Sequence, residues 1–211
     1  ARVCFLFTAA SILFAACGRK KKPSMTGDDP VAVSDFIDFF EPVSLPFHFT
    51  DSVMQKKESD SLLIGYKVFI QFVPDSILAK VVGKGVKPKI YPLGKTKVDK
   101  AETYLFAKIV SQAKRALYIL CFDKKDSFVA ALPVHRSDLS KSLQRSAVLD
   151  KKYTITKTQT RRNADGSTSE GRDVYVLNEE AKNFMLIMTD ALEDKVTELV
   201  NPIDTLPRKH K

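Results

Sequence analysis

The chain predicts a mainly β fold of antiparallel meander sheets, propeller-like or an open sandwich, with one or two short helices. Three observations carry that expectation. Apolar segments at residues 103–110, 116–122 and 127–134 follow one another across short polar spacers, and short connections join antiparallel neighbours. Residues 152–160 alternate, with Thr154, Thr156, Thr158 and Thr160 on one face. Asn163-Ala164-Asp165-Gly166 ends in the Asp-Gly pair of tight hairpins. No period of 20–50 residues repeats, but successive strands of this length with short turns are how propeller blades are built.

The first element is an address. Residues 3–16 are almost wholly apolar and run into Phe14-Ala15-Ala16-Cys17-Gly18. A short apolar stretch ending in small residues is a secretory signal, and this one is shorter than the roughly 20 residues that span a bilayer. Two alanines, a cysteine and a glycine resemble the end of a bacterial lipoprotein signal. That resemblance makes residues 1–16 the signal peptide and Cys17 the first mature residue and lipid acceptor. An ordinary signal peptide cut after Ala16 fits the same small residues, and Phe14 stands where lipoprotein signals usually carry leucine. The start at Ala1, not methionine, and the tail after Asn201-Pro202-Ile203 read as a chain cut at both ends.

Residues 17–30 read as a lipidated flexible tether. Arg19, Lys20, Lys21 and Lys22 follow the cysteine directly, and basic residues beside an anchor gain about 1 kcal/mol each from anionic headgroups. A solvated charge run is the plainer account of the same four residues. Pro23, Gly27 and Pro30 then continue a stretch without apolar period.

The net charge of +9 raises nucleic acid as a partner, but its distribution argues against it. Eight of the nine charges belong to Arg2, Arg19, Lys20, Lys21, Lys22, Arg208, Lys209 and Lys211. The body between is close to neutral, so the expected partners exclude nucleic acid. Residues 31–207 are expected to form one mostly-β domain, followed by a basic tail at 208–211. Their length and apolar content suit a globular core.

Along that body, residues 31–49 hold Phe36, Phe39, Phe40, Phe47 and Phe49 among prolines. The spacing allows a short helix over 34–40, and the rings are expected to pack on the body. Residues 66–72, rich in β-formers between Gly65 and Pro74, read as a strand. Asp75 or Ser76 caps a short helix with Ile77, Leu78, Val81 and Val82 on one side and Gly83 as its stop. Residues 88–98, with prolines and lysines, suggest a short edge strand.

In the meander, the middle strand is apolar on both faces: Leu117, Ile119 and Cys121 on one, Tyr118, Leu120 and Phe122 on the other. It should be central and covered on both sides. Residues 135–144 form a polar interruption. Residues 152–160 then leave the core toward solvent, and 172–177 pair with 184–189 across 178–183. Residues 192–200 favour a helix, with a further strand as the alternative.

The search for chemistry is short. Cys4 leaves with the signal, Cys17 takes lipid, and Cys121 is the only thiol of the body. A lone cysteine in an apolar strand is usually a small buried hydrophobe. His135-Arg136-Ser137-Asp138 collects Ser, His and Asp, but triads are recognised by geometry, not adjacency. A capped polar loop explains it as well. No histidine or cysteine pair has metal-ligand spacing, no Gly-rich phosphate loop follows a strand, and Asp123-Lys124-Lys125-Asp126 reads as a turn. The expected catalytic set, metal set and cofactor set are therefore all empty.

The lipid-type signal, the aromatic lead-in with Leu45-Pro46-Phe47, and the strand–turn–strand of residues 118–132 resemble uncharacterised lipoproteins of Bacteroidetes bacteria with a β-meander or propeller-like body. The resemblance implies palmitate-type acylation at Cys17 and attachment to the cell envelope. In that group, acidic residues after the cysteine accompany surface export. The basic Arg19 to Lys22 run therefore implies the periplasmic face, with the outer membrane as the expected location. The leading expectation is a lipid-anchored binding or structural module, with an envelope protein as candidate partner. The rival is an exported hydrolase with a site around His135 and Asp138, or Cys121. A third reading, a subunit of a larger envelope complex, requires an exposed apolar patch of several hundred Å².

Overall fold

The computed structural model describes residues 24–27, 30–98, 102–137 and 143–192. Four short α-helices lie in the first part: α1 (Val33–Asp38), α2 (Asp51–Gln55), α3 (Tyr66–Phe72) and α4 (Asp75–Val82). Nine strands complete the described order: β1 (Phe47–Phe49), β2 (Lys89–Val98), β3 (Glu102–Val110), β4 (Arg115–Phe122), β5 (Phe128–Arg136), β6 (Leu143–Leu149), β7 (Ile155–Arg162), β8 (Thr168–Asn178) and β9 (Asn183–Asp190). They form two antiparallel sheets, one ordered β2-β3-β4-β5 and the other β1-β6-β7-β8-β9. The mainly β fold is therefore as expected, and its form is the two-sheet stack. Among the described residues, no helix is long and apolar enough to cross a membrane.

The four-stranded sheet is the middle layer. Its β4 is buried from Ala116 to Phe122, and its two faces belong to different cores. Tyr118, Leu120 and Phe122 join Phe36, Phe40, Val68, Phe69, Leu78 and Val81 beneath the helices. Leu117, Ile119 and Cys121 join Phe49, Met54, Ala147, Leu149 and Ile155 beneath the second sheet. A strand that is apolar on both faces is thus covered on both, as its pattern demands.

The helical layer departs from the sequence reading at one place. Residues 66–72 are helix α3, not a strand. Val68, Phe69 and Val73 are buried while Lys67, Ile70 and Gln71 are exposed, which is a helical stripe, not an alternation. Burying that stripe beside Phe36 outweighs the β preference of its valine and aromatics, which is itself largely a matter of packing context. Among the described residues the α-helices number four, more than the one or two short helices expected. Helix α4 keeps its expected apolar side and its stop, with Gly83 at φ +95° as its C-cap, a conformation that glycine adopts without strain. Its expected cap is corrected: Pro74 is the N-cap, without a side-chain hydrogen bond, and Asp75 is the first helical residue, its carboxylate accepting from Tyr66 Oη at 2.9 Å.

Strand β2 is an edge strand, but the lead-in segment covers it. Lys95 N donates to Glu41 O, Val43 N to Lys95 O and Ile64 N to Ile90 O. The edge is therefore occupied by the chain itself, one way to prevent association. Gly94 permits this approach, because a Cβ there would lie 2.5 Å from Val43 Cγ1. The aromatic lead-in packs as expected. Phe36 meets Phe40, Phe69, Phe72 and Phe122 at centroid distances of 4.7–6.1 Å, and Phe47 and Phe49 pack on Phe106.

The second sheet holds a strand the sequence reading passed over. Strand β6 pairs with both β1 and β7, although Leu143-Gln144-Arg145-Ser146 reads as polar. Only Ala147 and Leu149 of β6 are buried. The alternating segment begins at Ile155, since Asp150 closes a turn whose Tyr153 sits at φ +61°. Residues 193–200, where a helix or strand is expected, lie outside the described residues.

Candidate functional site

At one end of the sandwich, α2, the β3–β4 turn, the start of β4, the end of β5 and the start of β6 line a half-open cavity of about 820 Å³. Its lining includes Asp51, Lys114, Arg115, His135, Arg136 and Arg145. A smaller cavity of about 240 Å³ shares His135, Arg136 and Arg145 and reaches Lys157.

His135 is placed by a bulge. Leu117 pairs with His135, yet Tyr118 pairs with Pro133, so Val134 is the extra residue. Val134 and the partner residue Leu117 belong to the same inter-sheet core, and directly opposed residues share a face. The bulge therefore turns Val134 and His135 to the same side, the re-aiming for which bulges are used. Pro133 is tolerated because β5 is a sheet edge.

The imidazole is buried, with its side chain 4% exposed, and its Nε2 lies 2.9 Å from Asp51 Oδ1. The direction is poor, and neither ring nitrogen has a hydrogen-bond partner of acceptable geometry. Burial holds His135 below the ordinary imidazole range, against the pull of the Asp51 carboxylate, and Arg145 pushes the same way as burial. The ring is therefore neutral at pH 7. Asp51 reaches it because Thr50 caps α2, accepting a hydrogen bond from Val53 N at 3.5 Å.

The nearby hydroxyls are occupied. Ser137 Oγ accepts from Arg115 N at 2.8 Å, and Ser111 Oγ accepts from Lys114 N at 3.0 Å. Cys121 is buried, and burial pushes its thiol up to about 12. It opposes Ala130, five residues along β5 from His135. A thiol so far from ionisation is a poor nucleophile, and the fold does not bring it to the imidazole. The carboxylate beside His135 is Asp51; Asp138 lies outside the described residues, as do Cys17, Arg19, Lys20, Lys21 and Lys22. Among the described residues no cluster of His, Cys, Asp and Glu has the form of a metal site.

A second polar feature was missed from sequence. Lys108 is 2% exposed. Its Nζ donates to Val53 O at 2.9 Å, to Lys56 O, and to Glu58 Oε1 at 3.3 Å. Burial lowers its pKa, and Glu58 opposes that shift. It caps the C-terminal end of α2, where a cation meets unpaired carbonyls. The signal was a lysine inside the apolar run 103–110.

The hairpin of β8 and β9 carries the third feature. Met185, Leu186, Ile187 and Met188 are 45–53% exposed, in a strand that pairs only with β8 among the described residues. Comparison with protein-family models, with curated proteins and with solved structures finds no match.

Proposed function

We propose that this chain is a lipid-anchored protein of the bacterial cell envelope, held through Cys17 and facing the periplasm from the outer membrane. Its folded body acts there as a binding or structural module. The observation that carries the reading is the apolar run 3–16 ending in Ala15-Ala16-Cys17-Gly18, followed at once by Arg19, Lys20, Lys21 and Lys22. Several acyl chains on one cysteine anchor a protein durably, since each buried methylene contributes about 0.8 kcal/mol. The basic run adds attraction to anionic headgroups.

Two features support a binding role for the body. One is the cation-lined cavity at the end of the sandwich. The other is the exposed apolar run of β9, which suits an envelope protein partner. Growth of a bacterial host with a palmitate analogue tests the anchor. The parent chain is expected to take up label and sediment with membranes. Cys17→Ala is expected to do neither, and label retained by that variant refutes the assignment.

A further inference from the structure

We propose that the cavity between Arg115, Arg136 and Arg145 binds a small ligand carrying an oxyanion and a hydroxyl, with His135 as its buried hydrogen-bond partner. This deepens the reading of the body as a binding module and is independent of the anchor at Cys17.

The argument begins with the imidazole. Buried polar atoms nearly always have a partner, and one that lacks it calls for an explanation such as a ligand, an ion or water. His135 is buried, and both its nitrogens lack a well-directed hydrogen bond. It is not walled in by apolar side chains alone, because it borders two cavities. The larger, at about 820 Å³, falls within the roughly 300–1,000 Å³ typical of small-molecule sites.

The charge of the lining selects the ligand. Among the described residues, Lys114, Arg115, Arg136 and Arg145 line this cavity against a single carboxylate, Asp51. Lys114, Arg136 and Arg145 are also engaged within the protein, which fixes where their charges stand. Guanidinium forks match the paired oxygens of phosphate and carboxylate groups. Asp51 stands beside Nε2, and the Arg136 backbone also favours a protonated ring nitrogen. A ligand satisfies the site by presenting its oxyanion to the arginines and a hydroxyl, which both donates and accepts, to His135.

Calorimetry on the full chain in a non-ionic detergent at low salt tests this. The probes are inorganic phosphate, a hexose phosphate and the matching neutral hexose. The hexose phosphate is expected to bind saturably and more tightly than phosphate, and the neutral hexose not to bind. Arg115 is exposed, so Arg115→Gln leaves the core intact and is expected to weaken binding about tenfold or more. His135→Gln is expected to weaken the hexose phosphate more than phosphate. Lys124→Gln, on a different surface, is expected to change nothing. Absence of saturable binding by both anions, or unchanged affinity in Arg115→Gln, overturns the proposal. Either result leaves the Cys17 anchor standing, and failed labelling at Cys17 leaves this site standing.

Discussion

The two faces of the central sheet are covered in different ways. On one face the helices close a dry core, with Phe36 at its centre and Phe40, Phe69 and Phe122 around it. On the other, the second sheet contributes Phe49, Ala147, Leu149 and Ile155 as its buried apolar residues, with Tyr175, Leu177 and Phe184 partly buried around them. Beside that core the same side of the central sheet carries polar groups: Lys108 against the end of α2, His135 beside Asp51, and Arg145 and Lys157 on β6 and β7. Lys157 is pulled down in pKa by burial and lies 5.2 Å over the Tyr175 ring. The difference follows from the cover. Short helices turn whole apolar stripes onto the sheet, whereas β6 and β7 alternate and run out of apolar residues before the sheet ends. The first face supplies stability, and the second keeps polar groups where a ligand could reach them.

The largest expected effect lies on the helical face. Phe36→Ala should cost about 4 kcal/mol of folding stability, since it leaves a cavity in a fully buried ring cluster. Urea denaturation checks this. A cost under about 1 kcal/mol breaks the contrast between a face that supplies stability and one that carries polar groups.

Next comes the buried cation on the other face. Lys108→Met should cost about 3 kcal/mol, because Glu58 keeps a buried charge and two carbonyls lose their donor. Combining it with Glu58→Leu should recover much of the loss, as apolar pairs often replace buried ion pairs well. A double-mutant cycle by denaturation measures the coupling.

A smaller effect sharpens the polar side through pH. The folded pKa of His135 lies below its ordinary value of 6.5, so between the two the unfolded chain binds the extra proton. Stability should therefore fall as pH drops below 6.5 and level off once the folded ring protonates. Asp51, Arg136 and Arg145 are the charged groups set around that ring. Urea midpoints between pH 8 and pH 5 should show the slope in the parent chain, and His135→Gln should reduce it. An equal slope in both assigns the acid sensitivity elsewhere.

The smallest effect is expected on β9. Ile187→Thr removes an exposed apolar side chain and should shift stability by less than about 0.5 kcal/mol. A loss near that of Phe36→Ala would make the hairpin part of the core and erase the distinction drawn above.

Much of the β architecture was legible. The three-strand meander and its doubly covered middle strand follow from apolar runs and short polar spacers. Helix α4 follows from its one-sided apolar pattern and Gly83. Pairing of β8 with β9 follows from two apolar runs around a polar turn. What was illegible shares one cause, partners distant in sequence. Strand β6 looks polar because only two of its residues enter the core, and its pairing with β1, far earlier in the chain, makes it an interior strand. Helix α3 has a strand-like composition that burial beside α1 overrides. In the site, His135 was singled out and Asp51 was not, because 84 residues separate them. Lys108 was passed over inside the apolar run 103–110, because its carbonyl partners lie about fifty residues earlier, on and just after α2.

The sequence by itself determined a mainly β body with a meander and a doubly covered strand, since apolar period and turn residues are local quantities. The tertiary structure alone decided which faces meet, where the buried imidazole finds its carboxylate, and how four cations come to line one cavity. Those depend on contacts between residues far apart in the chain, and chain-distant pairing leaves no mark in the local pattern until the sheets close over it.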